Sequence, residues 1–218
     1  MQHRWLTFLC FAVLSLVVFI FFWYRNQPIE ITTVQQETIE AGSLTRPTTT
    51  FVNPDKGATE PKLTIIEFSD FECIPCKTLA DSLQVVVKTY PNDVSVVWKD
   101  LPNESTHPLA TPAAIAAHCA DRQGAFWQYH DELFLQQSYL TEAQFPQMAQ
   151  NLGLQMDKFT SCYEARETLP MIKKDYEEGL ALGLTATPAI YVGDEEVLIG
   201  AITTQDLLDL VASNLSSP

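Results

Sequence analysis

The sequence predicts an α/β fold in which one sheet is covered by helices and a block of helices is inserted into its connections. Three observations carry that prediction. An apolar run, a helical stripe and a second apolar run follow one another over residues 63–98. A stretch with helical punctuation then fills residues 108–182. Two short apolar runs and a closing amphipathic segment finish the chain. A βαβ half and a ββα half that share one sheet form an α/β sandwich, with the inserted helices as a lid.

The 218 residues suffice for one well-filled domain with appendages. Residues 5–24 carry no charge and are almost wholly apolar; about twenty such residues cross a bilayer core of about 30 Å. Residues 1–25 are therefore expected to form a transmembrane anchor. The alternative, a cleaved signal peptide, has an apolar core of about 7–15 residues and ends in small residues. This run is longer and ends in Phe21-Phe22-Trp23-Tyr24-Arg25 with no Ala-x-Ala site. Cys10 lies inside it and follows no lipoprotein pattern. Arg4 and the amino terminus on one side, against Arg25 alone on the other, favour a cytoplasmic N-terminus. The expectation is a single-pass protein of the cell (inner) membrane with its main domain periplasmic, or more generally extracytoplasmic.

Residues 26–60 read as a linker, rich in threonine and in turn formers such as Asn53-Pro54-Asp55 and Gly57. The main domain is expected over 61–216, with the helical insert over about 105–180. Leu63, Ile65, Ile66 and Phe68 mark a buried strand; Leu79, Leu83, Val86, Val87 and Tyr90 share one face of the helix that follows. Val94-Ser95-Val96-Val97-Trp98 is the second strand. In the insert, Pro112 opens a helix that Gly124 stops, and Phe126, His130, Leu133 and Phe134 form the stripe of the next. Thr141 and Gln144 match a capping box, Gly153 ends that third helix, and a fourth covers 157–163. Residues 189–192 and 197–199 form strands around an acidic turn. A last helix opens at Thr203 or Thr204 and buries Leu207, Leu208, Leu210 and Val211.

Lys and Arg number 13 against 27 Asp and Glu; with Arg4 and Arg25 set aside in the anchor, the remainder carries a net charge of −16. Such a surface repels nucleic acid and anionic lipid. Its simplest reading is solubility. Beyond Cys10 there are four cysteines, and in an oxidising compartment their even number suggests two pairs.

Cys73-Ile74-Pro75-Cys76 sits where the first strand meets its helix. There the first sulfur lies at the positive end of the helix, which favours its thiolate, so that a pKa of about 8.5 falls to roughly 3.5–7.5. A thiolate stabilised in this way makes the disulfide a better oxidant. Cys73 is expected to be exposed and to exchange with clients, and Cys76, one turn in, to be shielded and to resolve the mixed disulfide. Pro75 suits a first helical turn, where a missing N–H is tolerated. A zinc site would need four ligands, and Cys119 and Cys162 are solitary and distant in sequence, so no metal is expected. Nor is a cofactor. Thr187-Pro188 precedes the third strand; a cis-proline loop facing the dithiol would expose backbone groups to an extended peptide. Thr187 and Pro188, with Ile74 and Pro75, are the expected substrate-binding residues.

The segment from Glu67 to Cys76 (Glu-Phe-Ser-Asp-Phe-Glu-Cys-Ile-Pro-Cys) strongly resembles DsbA-like thioredoxin-fold proteins. So do His107-Pro108-Leu109-Ala110, Phe126-Trp127-x-x-His130-Asp131-x-Leu133-Phe134, and Thr187-Pro188. The likeness spans residues 60–213. It implies a thioredoxin fold with an inserted helical domain, acting in thiol–disulfide exchange on exported proteins. It implies Cys73 as nucleophile, Cys76 as resolving cysteine and Pro188 as the cis-proline. It also implies that Glu67 is a buried acid beneath the dithiol, assisting proton transfer to Cys76; the alternative for Glu67 is a strand-end carboxylate paired with Lys99. Paired cysteines in some relatives favour a structural disulfide between Cys119 and Cys162 over two buried thiols.

The chain departs from strong oxidases of this type in two ways. Ile74-Pro75 places no histidine or aromatic ring between the cysteines, and Glu72 adds a negative charge beside them. Both point to a potential nearer the isomerase range, about −180 mV or below. His118 is expected on a helix surface, His130 as a hydrogen-bonded core residue, and Trp127, Tyr129 and Phe134 as packing. Asn103-Glu104-Ser105 and Asn214-Leu215-Ser216 match glycosylation sequons, which arise often by chance.

The functional expectation is a membrane-anchored thiol:disulfide oxidoreductase that introduces disulfides into cysteine-containing exported proteins, re-oxidised by a DsbB- or VKOR-type membrane partner. A reductase or isomerase of the same fold is one alternative. A non-catalytic peptide-binding chaperone is the other.

Overall fold

The computed structural model describes residue 16 and residues 42–193, 195–200 and 202–216. The chain divides into two units, 1–38 and 39–218, and the second holds everything that follows. Apart from residue 16, the expected anchor over 1–25 lies outside the described residues. Among those described, no helix is long and apolar enough to cross a membrane.

The elements run β1 (Asp55–Gly57), β2 (Leu63–Ser69), α1 (Ile74–Thr89), β3 (Val94–Asp100), α2 (Ala110–Asp121), α3 (Phe126–Leu135), α4 (Gln144–Asn151), α5 (Met156–Glu164), α6 (Leu169–Ala181), β4 (Ala189–Val192), β5 (Glu195–Ile199) and α7 (Thr204–Ser216). The sheet order is β1-β3-β2-β4-β5. β2 and β3 are parallel, from Leu63 opposite Val94 to Ser69 opposite Asp100, and the other pairs are antiparallel.

Two central strands buried on both faces need apolar side chains at nearly every position. On one face Leu63, Ile65, Val94 and Val96 meet Leu79, Leu83 and Val86 of α1 and Leu207 and Val211 of α7. On the other, Ile66, Phe68 and Val97 meet Leu182, Leu184 and Tyr191. A third cluster fills the insert and reaches the strand ends: Ala113, Cys119, Phe126, Tyr129, Phe145 and Phe159 belong with Phe71, Cys73, Cys76 and Trp98. Phe71 stacks on Trp98 with centroids 4.6 Å apart. Burying each such side chain stabilises the fold by roughly 1.5–3 kcal/mol. The insert is thus continuous with the core beneath the dithiol.

Local chemistry ends the helices where the sequence punctuates them. Thr203 caps α7: its Oγ1 accepts the Asp206 N–H at 3.1 Å and donates to Asp206 Oδ2 at 2.6 Å. The Thr141–Gln144 box forms by half, the Thr141 N–H donating to Gln144 Oε1 at 2.8 Å.

β1 lies within the stretch read as linker, and no alternation of side chains marks it. Before and after β1 the chain is fastened along the domain. The Leu44 N–H donates to the Ala181 carbonyl at 2.9 Å, Thr48 Oγ1 to Glu178 Oε1 at 2.8 Å, and Asn53 Nδ2 to both oxygens of Asp175 at 3.3 Å. The Trp98 N–H donates to the Pro54 carbonyl and the Ala58 N–H to the Val94 carbonyl, each at 2.9 Å. At Gly57, φ is +111° and a Cβ would lie 2.3 Å from the Val94 carbonyl oxygen. Only glycine fits so close an approach.

Two expectations about charged and titratable side chains are overturned. Lys99 is not the partner of Glu67. Glu67 stands opposite Trp98 and Lys99 opposite Phe68, so the pleat sends Glu67 and Lys99 to opposite faces. Lys99 instead meets Asp175 at 2.9 Å and Glu178 at 2.6 Å, both from α6. His118 is not on the surface either. α2 is lined with small buried alanines and has almost no outward face, so His118 is buried, its Nε2 2.5 Å from Asp100 Oδ2. Burial opposes charge on this ring, but the Asp100 carboxylate, aided by Asp175 and Asp121, outweighs it and raises the pKa above the usual histidine value.

Candidate active site

Strand β2 ends in a turn that is held from several sides. Asp70 Oδ1 accepts the Glu72 N–H at 2.8 Å, an Asx turn. Asp70 Oδ2 accepts the Asn103 N–H at 2.9 Å and faces His107 Nδ1 at 2.8 Å. Glu72 Oε2 accepts the Leu109 N–H at 2.6 Å, which directs this carboxylate to the start of α2. Gln137 Nε2 donates to the carbonyls of Phe71 and Cys73, each at 2.9 Å. The sequence marked Asp70 and His107 only as parts of motifs. Gln137 carried no signal, since it reaches the turn from 64 residues away in the chain.

The turn delivers Cys73 to the head of α1 as its N-cap, with Pro75 in the first turn. Cys73 and Cys76 are joined as a disulfide with Cα atoms 5.2 Å apart. Cys73 Sγ accepts the Cys76 N–H at 3.2 Å and lies 3.5 Å from the Thr187 carbonyl oxygen. In the reduced protein the same N–H and the helix N-terminus would stabilise a Cys73 thiolate. The Thr187–Pro188 peptide is cis.

Cys73 is not exposed as expected; its accessibility is 4%, and that of Cys76 is 0%. The sulfur is enclosed by the helix amide and the Thr187 carbonyl, and the turn behind it is packed by Phe71. Ile74 stands out instead, 74% exposed. Beside Thr187 lies a cavity of about 300 Å³ lined by Leu101, Tyr176, Leu180, Leu184 and Thr185.

Glu67 lies in the row of Trp98, whose side chain packs in the cluster of Cys76 and Phe71. It is 1% exposed, and its Oε1 has no hydrogen-bond partner among the described residues. Burial raises its pKa to about 7, against the pull of the Lys56 ammonium. A carboxyl group with that value is divided between acid and carboxylate near neutrality, as proton transfer to a leaving thiolate requires. His130 is buried among Phe71, Trp98, Trp127 and Phe134. Burial lowers its pKa to about 4 despite the bond from Nδ1 to Asp131, so the ring is neutral at pH 7.

Cys119 of α2 and Cys162 of α5 are joined as a second disulfide, Cα atoms 5.8 Å apart. Tyr129 and Phe134 are buried in the insert core, and Tyr129 donates its hydroxyl to the Phe145 carbonyl at 2.8 Å. Trp127 is half-buried, its Nε1 donating to the Asp55 carbonyl at 2.7 Å. Among the described residues no group of three or more His, Cys, Asp or Glu is arranged to hold a metal.

The profile of the family described as Thioredoxin matches residues 50–212. A thioredoxin-like oxidoreductase from Silicibacter pomeroyi superposes with a TM-score of 0.67 at 25% identity, covering 78% of this chain and 95% of that one. A periplasmic thioredoxin-like protein from Salmonella enterica serovar Typhimurium gives 0.64 at 29% identity, over 76% and 91%. A protein of Salinispora tropica named Na(+)/H(+) antiporter NhaA 3 is 33% identical over 145 residues, 65% of this chain. The match spans 22% of that protein's own length.

Proposed function

The chain belongs to the thioredoxin family, and from that premise we propose that this protein thiol–disulfide oxidoreductase works as an oxidase on exported proteins. The observation that carries the reading is Cys73 Sγ, at the head of α1, held 3.5 Å from the Thr187 carbonyl oxygen. That carbonyl and its neighbours offer backbone hydrogen bonds to a client strand whose cysteine lies against Cys73.

In the forward step a client thiolate attacks Cys73 Sγ. The Cys73–Cys76 bond breaks, and its electron pair leaves on Cys76 Sγ, which takes a proton from Glu67. The client's second thiolate then attacks the client sulfur of the mixed disulfide and expels Cys73 as a thiolate. The client loses two electrons and the dithiol gains them. A DsbB- or VKOR-type membrane partner that passes electrons to a quinone would restore the disulfide. The residue 1–25 segment would tether the domain to the inner membrane on its extracytoplasmic side. The uncharged Ile74-Pro75 centre supports a potential near or below about −180 mV.

The variant Cys76→Ala cannot form the active-site disulfide; its free Cys73 thiolate, attacking disulfides of oxidised clients, should accumulate covalent, reductant-sensitive adducts that no Cys76 thiolate is there to release. Recovery of no adduct would sink the enzymatic reading. The redox state of Cys73–Cys76 in growing cells fixes the direction: oxidised supports the oxidase, and predominantly reduced supports a reductase or isomerase.

A further inference from the structure

Glu67 has no cation on its own strand pair, because Lys99 is committed to Asp175 and Glu178 on the far face of the sheet. The cation comes from elsewhere. In β1, Lys56 stands opposite Val96, and Val96 belongs to the cluster of Leu63 and Ile65 on the α1 face. Trp98, two residues on, faces the same way and is the register partner of Glu67. Lys56 and Glu67 therefore flank β3 on one face of the sheet.

The insert holds Lys56 in place. Trp127 donates to the Asp55 carbonyl at 2.7 Å, and its ring lies under the Lys56 ammonium, Nζ 4.0 Å from the centroid. A cation over an indole face is favoured electrostatically as well as by packing. Three buried polar atoms on this side have no hydrogen-bond partner among the described residues: Glu67 Oε1, Ser69 Oγ two residues along the same strand, and His130 Nε2. The His130 ring centroid is 4.9 Å from that of Trp127 and 5.1 Å from that of Trp98.

We propose that Lys56, carried by the edge strand β1, is a positioning residue for the exchange reaction: its ammonium sets the proton affinity of Glu67 and so the release of Cys76. The inference rests on the assignment of Glu67 as the acid that serves Cys76. The charged and titratable groups on this face are Lys56 from β1, Cys76 from α1, His130 and Asp131 from α3, and, one row further along β3, Asp100, which accepts from Trp98 Nε1 and is paired with His118 of α2. The row neighbours of Glu67 on β3 and β4 are Trp98 and Ile190, which do not titrate. When Glu67 gives its proton to the Cys76 thiolate, the new carboxylate is compensated by Lys56. When Cys76 is re-bonded, Glu67 recovers the proton.

The test uses the oxidised full chain, in which neither active-site thiol titrates, with carbon-13 in the glutamate carboxyls. Glu67, identified by its loss in Glu67→Gln, should titrate in the wild type at about 7. In Lys56→Met, whose stem still covers Trp127, the midpoint should rise by about one pH unit, the Coulomb effect of one charge roughly two strand spacings away. Lys56→Arg should restore the wild-type midpoint. The pH profile of peptide dithiol oxidation should shift with it. An unchanged midpoint in Lys56→Met overturns the role of Lys56. A wild-type Glu67 that titrates at the ordinary glutamate value overturns the assignment of Glu67 instead.

Discussion

Replacing Glu67 by glutamine should stabilise the protein in alkaline solution and do nothing in acid. Glutamine keeps the shape of the protonated glutamic acid but cannot ionise. The folded-state pKa is raised from the ordinary glutamate value of 4.5 to about 7, first by burial and against the opposing charge of Lys56. The folded wild type therefore holds a proton that the unfolded chain releases, and its stability falls as pH rises through that window. The cost is absent below about 4.5, grows to about 7 and is constant above. A displacement of about 2.5 units at about 1.4 kcal/mol each gives roughly 3 kcal/mol. Urea unfolding of the oxidised proteins at pH 4.5 and pH 8 measures it directly. Equal stability of the two proteins at pH 8, or a gap that persists unchanged at pH 4.5, would refute the reasoning, since Glu67 would then not be an acid held neutral by burial.

Two further outcomes follow from the same interior. Lys99→Met leaves the carboxylates of Asp175 and Glu178 buried without their cation, and urea unfolding at pH 7 should show a loss of about 3–5 kcal/mol. A loss below about 1 kcal/mol would mean that Asn53 and Thr48 alone can hold those charges. Replacing Cys119 and Cys162 together by alanine opens a loop of 43 residues, for which chain entropy gives about 4 kcal/mol. The rate of peptide dithiol oxidation should stay unchanged, and a lost rate in a protein still folded would place the second disulfide in the reaction.

The order of strands and helices was legible because each carries its own period and punctuation. The Cys73 motif at the head of α1, Thr203 at the head of α7, and the apolar runs of β2 and β3 needed no partner to be recognised. What could not be read depended on which face of the sheet a residue meets. Lys99 and Glu67 looked like a pair because they end neighbouring strands, and only the register, Glu67 opposite Trp98, separates them. His118 looked like a surface residue because nothing in an alanine-rich helix says that its neighbours close over every side. β1 had no apolar period at all; three residues among turn formers become a strand only when β3 is there to pair with them. Cys73 was expected in solvent because helix N-termini usually are, and a carbonyl from 114 positions away covers it.

The fastened segment between Leu44 and Ala58 bears on how small a working fragment can be. A truncation starting at Lys62 would keep both cysteines, Glu67, the insert and Pro188, everything by which such a domain is usually recognised. It would also turn β3 into a bare sheet edge, with backbone groups of Val94 and Trp98 unpaired and open to pairing with another chain. Lys56 would be gone from the face of Glu67, and Asp175 and Glu178 would lose Asn53 and Thr48. Such a fragment would be a poor folder and a differently tuned redox protein, so the smallest faithful unit has to begin at or before Leu44.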